Sequence, residues 1–320
     1  MEMDDSKHIF IVNPAAGPRD RTTEIAGAIR AATVRRPIDY EIQITDAPRH
    51  AISLVQRAAD MYPGRPLRFY ACGGDGTLKE VAEGCLHVPN AAFTHYPAGT
   101  GNDFIKVFGK GADRFHDLGQ LIGGEIIQVD GIESDCGLAL NVLSVGVDAR
   151  VAHSMQKYKR FPLLGSQGPY LVAAVEEVVK GLVQSYGVTV DGQSYDGRYT
   201  LIIAVNGYCY GGGFMPVPES SVDDGILDVL LVHAVSRATA AKVIGAYKNG
   251  YYRDYPQYIT HLRARELTIY SLGGKQMDVN MDGEIVRTGH VGMRIAEKQM
   301  RVIVPIGVRP EVRTPRSRRQ

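Results

Sequence analysis

Short apolar runs alternate with amphipathic segments along the first 127 residues of the chain. Strand-like runs cover Ile9 to Val12, Tyr40 to Thr45, Leu67 to Cys72 and Ala91 to Tyr96. Between the second and third runs, apolar residues recur at helical spacing from Ala51 to Met61. This alternation of strand and helix patterns predicts βαβ units and a mainly parallel sheet.

From about Gln128 the pattern changes to longer β-branched and aromatic runs separated by Gly and Asp turns. The predicted strands include Gly187 to Val190, Thr200 to Val205, Ile226 to Val232, Leu267 to Tyr270 and Val291 to Ile295. Helical patterns interrupt them at Tyr170 to Leu182 and Ala238 to Tyr247. We therefore assign residues 1–127 to an α/β domain and residues 128–299 to an antiparallel β domain.

Composition narrows the class of protein. The chain has 320 residues and a formal net charge of +1, so no basic excess indicates nucleic-acid binding. Its start is polar and no apolar run approaches the roughly 18 residues of a membrane span, which predicts a cytoplasmic protein. The cysteines lack metal-ligand spacing, so we expect reduced thiols.

A glycine-rich motif, Gly73 to Thr77 (GGDGT), joins a strand-like run to a helix-like run at Leu78 to Leu86. Glycine lets backbone N–H groups approach an anion closely, and a helix N-terminus favours phosphate. A carboxylate beside triphosphate needs a cation or a transferable proton, so Asp75 indicates magnesium binding or base catalysis. The alternative is a tight turn with a capping aspartate.

Two further loops follow strand-like runs in the same way. Pro97 to Asp103 (PAGTGND) precedes a helix-like run from Phe104 to Phe108, and Asn13 to Arg19 follows the first strand. Because ligands of open α/β sheets bind at the carboxyl ends of the strands, these loops should converge on one site.

The three loops, in this order and spacing, resemble the diacylglycerol kinase catalytic domain, specifically the soluble bacterial lipid kinases of that family. The resemblance covers nearly the whole chain and continues with Asn141 to Val151, Gly211 to Gly213, Ser221 to Val229, and Asp282 to Glu284. It implies an NAD kinase/phosphofructokinase-like α/β domain and a C-terminal antiparallel β-sandwich, with residues 300–320 returning to the first domain. Ala16 departs from the family, which usually has serine there.

The resemblance also implies ATP and Mg²⁺ as cofactors. The implied nucleotide-binding residues lie in the loops and are Asn13, Gly17, Thr45, Gly73, Gly74, Gly76, Thr77, Gly99, Thr100, Asn102 and Asp103. One Mg²⁺ would be held by Asp224 with the backbone carbonyls of Ser221 and Ile226, and it would stiffen a water network that reaches Asp75 and Asp130. A solvated acidic turn is the alternative reading of Asp224.

For catalysis, the resemblance assigns Asp282 as the general base and Glu284 as a supporting carboxylate. Relatives that phosphorylate sphingoid bases use the aspartate matching Asp75 instead, so both assignments stay open. From the residues alone, Asp282-Gly283-Glu284 also fits a simple hairpin turn.

The resulting hypothesis is an ATP-dependent kinase that converts diacylglycerol to phosphatidic acid in an interdomain cleft. Its partner would be a membrane lipid, reached by peripheral contact with the inner face of the membrane, and a homodimer stays open. Candidate membrane contacts are Phe161 to Gly165 and the arginine-rich C-terminal tail, although ordinary loop and solvated-tail readings fit both.

Three alternatives remain. The acceptor is another lipid alcohol such as a sphingoid base, ceramide or phosphatidylglycerol; the chain is an NAD kinase; or it is a non-catalytic lipid-binding regulator. NAD kinases carry an Asn-Glu pair that this chain lacks. A regulator should have lost Asp75 or the Asp-Gly-Glu turn, and both are present.

Overall fold

The computed structural model of the chain describes residues 5–158, 183–211 and 213–318. The chain divides into two units, Met1–Gly131 with Glu297–Glu311, and Ile132–Ala296 with Val312–Gln320. The predicted helix from Tyr170 to Leu182 lies outside the described residues. None of the helices that are described is both long and apolar enough to cross a membrane.

The first unit alternates strands and helices. Its strands are β1 (Lys7–Val12), β2 (Asp39–Ile44), β3 (Leu67–Gly73), β4 (Ala91–Pro97) and β5 (Glu125–Ser134), the last of which continues into the second unit. Its helices are α1 (Thr22–Arg35), α2 (His50–Met61), α3 (Asp75–Cys85) and α4 (Leu118–Ile122), with a 3₁₀ helix at Phe104–His116.

The strands of this unit form a parallel sheet in the order β4-β3-β1-β2. Nearly every residue of β1, β3 and β4 is buried, as expected for strands covered by helices on both faces. The chain moves from β1 outward to β2, and later from β3 outward to β4 on the other side. The order therefore reverses between β1 and β3, which is where open α/β sheets bind ligands.

Antiparallel strands build the second unit. They are β6 (Gly137–Ala139), β7 (Val142–Gly146), β8 (Gln184–Val190), β9 (Gln193–Ser194), β10 (Gly197–Val205), β11 (Leu227–His233), β12 (Ile259–Ala264), β13 (Glu266–Ser271), β14 (Met277–Met281), β15 (Glu284–Thr288) and the first part of β16 (His290–Val304). Its helices are α5 (Val147–Tyr158) and α6 (Arg237–Lys248), with a 3₁₀ turn at Tyr252–Asp254.

Strand β10 has both faces buried. Ile202 belongs to one apolar cluster, which includes residues of β8, β13 and β16, whereas Leu201 and Ile203 belong to a second cluster with Val243 of α6. This assignment follows from the two-residue period of a strand, which sends successive side chains to opposite faces. The predicted fold class, a parallel α/β domain followed by an antiparallel β-sandwich, is confirmed.

The structure corrects two local predictions. The helix expected at Phe104 to Phe108 is a 3₁₀ helix, whose geometry is interrupted at Gly109 with a φ of 53°. The C-terminal segment was predicted to return entirely to the first domain, but Val312–Gln320 belongs to the second unit. It does so because Ser317 Oγ and the backbone N–H of Arg318 donate to the carboxylate of Asp254, at 2.7 and 2.9 Å.

Candidate functional site

The predicted phosphate loops lie together at the carboxyl edge of the parallel sheet. The backbone N–H groups of Asn13 and Thr45 donate to Cys72 and Val12, and that of Ala98 donates to Gly73. Each of these hydrogen bonds joins a loop to the end of the neighbouring strand. The loops that follow β1, β2, β3 and β4 are therefore adjacent, as their positions in the sequence predict.

Asn13 connects the first loop to α3. Its Nδ2 donates to Thr77 Oγ1 at 2.9 Å, while its Oδ1 accepts the backbone N–H of Ala15 at 2.9 Å. The contact crosses from the end of β1 to the end of β3, which is the point where the strand order reverses. The side chains of Asn13 and Thr77 thus fix the geometry of the loops, in addition to any contact with a nucleotide.

Close backbone contacts explain why these loops need glycine. A Cβ on Gly99 would lie 2.5 Å from Cα of Gly74, and a Cβ on Gly73 would lie 2.3 Å from Thr77 Oγ1. Gly17 has a φ of +79°, and its Cβ would lie 2.9 Å from the carbonyl oxygen of Ala98. By contrast, a Cβ on Gly76 would meet no atom within 4 Å, so this position faces open space.

Helix α3 begins beside these glycine loops and has no side-chain cap. Gly74 occupies the N-cap position and, because it has no side chain, provides no side-chain cap for the first turn. The N–H groups of a first turn have no partners within their own helix, and their dipoles favour an anion. The start of α3 therefore has the features of a phosphate-binding site.

Asp75 is the carboxylate at this helix N-terminus. Its Oδ1 accepts the backbone N–H of Asp103 at 2.6 Å, and a Cβ on Gly101 would lie 2.5 Å from its Oδ2. Burial and the nearby charge of Asp103 raise the pKa of Asp75 above its ordinary value. Lys106 Nζ in turn contacts Asp103 Oδ1 at 2.5 Å. A cation at this position has two carboxylates within reach, one of which already pairs with a lysine.

The loop residues Thr100 and Asn102 differ in what they offer to a ligand. Thr100 is exposed, whereas Asn102 has a φ of 49° and donates from Nδ2 to the carbonyl of Gly99 at 3.0 Å. Asn102 Oδ1 is buried and has no hydrogen-bond partner among the described residues. Because buried acceptors are normally satisfied, this oxygen is suited to receive a donor from a ligand or a water.

Sequence reasoning missed His95, which lies on β4 and is 1% exposed. Its Nε2 contacts the carbonyl oxygen of Gly73 at 2.9 Å, and because that oxygen can only accept, Nε2 carries the proton. The same oxygen accepts the N–H groups of Ala98 and Gly99. Burial lowers the pKa of His95 to about 4, so the imidazole is neutral near pH 7. A lone histidine within a strand gives no signal of this contact in the sequence.

In the second unit, Asp282 forms the hairpin turn between β14 and β15. Its two carboxylate oxygens accept the backbone N–H groups of Leu140, Asn141 and Val142 at 2.5 to 3.3 Å. Glu284 begins β15 and pairs with Met281 in the ladder. The turn predicted from the sequence is therefore present, and the Asp282 side chain fixes it to the segment that leads into β7.

The predicted metal residues of the second unit lie in an exposed turn. Asp224 Oδ2 contacts Arg263 Nη2 at 2.5 Å, and its Oδ1 accepts the backbone N–H of Ile226 at 3.1 Å. Ser221 Oγ donates to Asp223. Carboxylate and carbonyl oxygens are suitable ligands for Mg²⁺, but both Asp224 oxygens already accept hydrogen bonds. This donor set fits a hydrated Mg²⁺ provided that the ion displaces Arg263.

The remaining metal prediction, Asp130, is fully buried in the first unit. Its Oδ1 accepts the backbone N–H of Lys298 at 2.6 Å, and Lys298 has a φ of 51°. Asp130 therefore stabilises an irregular backbone position in β16. Among the described residues, no group of three or more His, Cys, Asp or Glu side chains is arranged to hold a metal.

An apolar cavity of about 380 Å³ lies within the second unit, between α6 and the strands that it covers. Its walls include Val151, Leu201, Val243 and Tyr258. Its lining also contains Asp148, whose Oδ2 accepts Ser144 Oγ at 2.7 Å and Asn280 Nδ2 at 3.1 Å. Desolvation raises the pKa of Asp148. The size and the lining are typical of a small-molecule site, and the sequence patterns did not predict it.

Comparisons with known proteins agree with this architecture. The family model described as the diacylglycerol kinase catalytic domain matches residues 7–134. A second family model, the YegS C-terminal NAD kinase beta sandwich-like domain, matches residues 141–304.

Individual relatives are more distant. A Staphylococcus aureus (strain MSSA476) protein with the name "Putative lipid kinase" is 24% identical over 68% of this chain and 70% of its own length. Two solved structures from Bacillus anthracis str. Sterne, each titled "putative diacylglycerol kinase", cover 97% of this chain. They match with TM-scores of 0.73 and 0.69 at 21% and 24% identity, and the alignments cover 98% and 100% of those chains.

At such identities the two structures support the fold, whereas the two family models together span almost the whole chain. The YegS C-terminal domain model by itself matches more than half of the chain and the diacylglycerol kinase catalytic domain precedes it, so the chain belongs to this two-domain family of lipid kinases.

Proposed function

We propose that this kinase transfers the γ-phosphate of ATP to the hydroxyl of a membrane lipid, with diacylglycerol as the first candidate acceptor. The observation that carries the proposal is the contact between Gly74 and Gly99, which brings two glycine loops together at the uncapped N-terminus of α3. Backbone N–H groups and a helix dipole at one point suit a polyphosphate. The buried Asn102 Oδ1, which has no hydrogen-bond partner among the described residues, can accept a hydrogen bond from the nucleotide.

The apolar cavity of the second unit supports a lipid acceptor. A hydrocarbon chain gains roughly 0.8 kcal/mol for each methylene that it buries. The cavity walls named above offer apolar surface for such burial, whereas a soluble acceptor such as NAD would leave that surface unused. Sphingoid bases, ceramide and phosphatidylglycerol also carry a hydroxyl near hydrocarbon, so they remain alternative acceptors.

Phosphoryl transfer forms a bond between the lipid oxygen and the γ-phosphorus. It breaks the bond between the γ-phosphorus and the oxygen that bridges to the β-phosphate, and ADP leaves. The hydroxyl proton must pass to a base. Asp75 accepts backbone N–H groups of Asp103 and Asn102, and burial nevertheless raises its pKa, which makes it a better proton acceptor. Asp282 accepts three backbone N–H groups and holds a turn. We therefore favour Asp75 as the base, with Asp282 and Glu284 as the alternative pair.

We also propose that the kinase uses Mg²⁺. The ion would neutralise charge on the transferring phosphates, as it does in phosphoryl-transfer enzymes generally. Asp75 would hold it beside the nucleotide only in the alternative in which Asp282 is the base, because a carboxylate on a metal ion has a lowered pKa and does not take a proton. Asp224 with the carbonyls of Ser221 and Ile226 would hold the other ion. Because diacylglycerol lies in a bilayer, this function requires peripheral contact with a membrane, which we place at its cytoplasmic face. The segment from Phe161 to Gly165, predicted to contact it, lies outside the described residues.

The test is transfer of labelled γ-phosphate from ATP with Mg²⁺ to a panel of lipids in mixed micelles, with NAD included. We expect label on diacylglycerol, and we expect the Asp75→Asn variant to lose at least about 100-fold in kcat, since a positioned base contributes about 10²–10⁴-fold. Asp60→Asn, an exposed change on α2, is the matched control and should retain full activity.

Each other outcome changes a specific part of the proposal. Label on a different lipid would replace the acceptor and keep the reaction. Label on NAD alone would make the chain a kinase of soluble substrates. A larger loss in Asp282→Asn than in Asp75→Asn would move the base to the hairpin turn. Label on no acceptor, by a protein that binds ATP, would favour a regulatory role.

A further inference from the structure

The segment of residues 45–50, which joins β2 to the first residue of α2, has a strained backbone position at Arg49. Arg49 adopts a left-handed conformation with a φ of 65° and a ψ of 5°, and it makes no side-chain cap for α2. A left-handed conformation costs a residue other than glycine free energy and persists only where neighbouring groups hold it. Strain of this kind is concentrated at functional sites.

Glu80, on α3, supplies the missing cap. Its Oε1 accepts the backbone N–H of Arg49 at 2.8 Å, and its Oε2 accepts the backbone N–H of Ala51 at 3.2 Å. One carboxylate therefore satisfies two N–H groups at the N-terminus of α2, where negative charge is also favoured by the helix dipole. Glu83, three residues further on the same face of α3, accepts the Arg49 guanidinium at 2.8 Å.

The segment itself is closed into a rigid loop. His50 Nδ1 lies 2.6 Å from Asp46 Oδ1 and 3.2 Å from the backbone nitrogen of Asp46. The other end of the segment is fixed by the hydrogen bond from the Thr45 N–H to the Val12 carbonyl. At the end that leads into α2, the segment is held by Glu80 and Glu83, both of which lie on α3.

This loop lies at the distance from the start of α3 that a bound nucleoside would span. The carboxyl end of β2 lies two strand spacings, about 10 Å, from that of β3, where α3 starts. A nucleotide whose phosphates lie at the N-terminus of α3 has its ribose and base several ångströms away along the same edge of the sheet. Glu80 lies five residues after Asp75 on the same helix, so α3 connects the phosphate end of the site rigidly to the loop at residues 45–50.

We propose that Glu80 is a positioning residue for the nucleoside half of the nucleotide: by capping α2 it holds the loop of residues 45–50 in the conformation that contacts ribose or base. The inference rests on the proposed function, because it requires that the phosphates bind at α3. Glu80 does not touch the nucleotide and does not take part in the transfer of the phosphoryl group.

The test compares ATP with inorganic tripolyphosphate, which has the phosphates and lacks the nucleoside. We expect Glu80→Ala to weaken ATP binding about fivefold to tenfold, in line with the loss of a helix cap, and to leave tripolyphosphate binding unchanged. Glu80→Gln keeps one accepting oxygen and should give an intermediate loss. Glu83→Ala removes the contact with the Arg49 side chain alone and should stay within about twofold of wild type.

Kinetics provide a second readout. With saturating lipid, Glu80→Ala should raise the KM for ATP and leave kcat and the KM for lipid unchanged, a pattern that general destabilisation would not produce. Equal weakening of ATP and tripolyphosphate, or no weakening of either, would overturn the role of Glu80. If the wild-type protein bound neither ligand, the proposed nucleotide site itself would be wrong, and the positioning role with it. Thermal unfolding of each variant confirms that it is folded.

Discussion

The buried imidazole of His95 makes the free energy of unfolding depend on pH. Burial holds its pKa at about 4, compared with an ordinary value of 6.5. In the unfolded chain the imidazole gains a proton as the pH falls through 6.5, while in the folded protein it stays neutral until about pH 4. The unfolded state therefore binds more protons in this interval, and the free energy of unfolding decreases as the pH falls.

The size of the effect follows from the two pKa values. At about 1.36 kcal/mol for each unit of pKa difference, the gap is worth about 3 kcal/mol in full. Linkage places about 2.5 kcal/mol of this loss between pH 7 and pH 4.5. Such a loss is a large fraction of the roughly 5–15 kcal/mol that stabilises a typical domain.

The perturbation is His95→Gln, because the Gln amide can still donate to the carbonyl of Gly73 and does not titrate. We expect wild type to lose about 2.5 kcal/mol more than the variant between pH 7 and pH 4.5. Urea unfolding followed by far-UV circular dichroism measures both, since the chain has no tryptophan for fluorescence. Comparing the two proteins at each pH cancels the other acid-sensitive groups. Losses that agree within about 0.5 kcal/mol would refute the reasoning.

Three further predictions follow from packing and burial. Gly99→Ala would place a Cβ 2.5 Å from Gly74, so it should cost about 1–3 kcal/mol of stability and abolish ATP binding, whereas Gly76→Ala should leave the melting temperature unchanged and weaken ATP binding alone. Asp148→Asn should become more stable relative to wild type as the pH rises. The folded state raises the pKa of Asp148, so wild type loses stability as the pH rises above the ordinary aspartate pKa, and the Asn variant has no carboxyl to ionise. Urea unfolding of both proteins at pH 4 and pH 8 measures the difference. Deleting residues 312–320 should lower stability by about 1–3 kcal/mol, because the carboxylate of Asp254 loses two donors, and scanning calorimetry would detect it; an unchanged melting temperature would show that the tail adds nothing.

The parallel half of the fold was predictable because β1, β3 and β4 are mostly buried, and because helical patterns separate its strands along the chain. The loops that contain Asn13, Asp75 and Asp103 were predictable for a related reason: parallel strands place their carboxyl ends at one edge, so motifs far apart in sequence must meet. The antiparallel half was recognisable from its turns and β-branched runs, and α6 was confirmed where its pattern lay.

Contacts that depend on exact side-chain geometry were beyond the sequence. Nothing in the run around His95 indicates that its ring reaches the carbonyl of Gly73, because that contact crosses from one strand to the next. The sequence left the arginine-rich tail open between a solvated tail and a membrane contact. In the structure the Arg313 guanidinium lies 4.1 Å from the centre of the Tyr208 ring, and Arg316 donates to the Asn249 carbonyl. Composition alone cannot distinguish a solvated arginine from one that stacks on an aromatic ring.

The spacing of three residues on α3 accounts for how the loops of the first unit are joined. A helix turns about 100° per residue, so Thr77 and Glu80 lie about 60° apart and Asp75 points in nearly the opposite direction. Thr77 contacts the loop after β1 and Glu80 contacts the loop after β2, whereas Asp75 contacts the loop after β4. This division matches the strand order β4-β3-β1-β2, in which β1 and β2 lie on one side of β3 and β4 lies on the other. One helix, starting where the strand order reverses, can therefore hold all three loops at the proposed nucleotide site, and moving any of the three residues by one position would turn its side chain away from its loop.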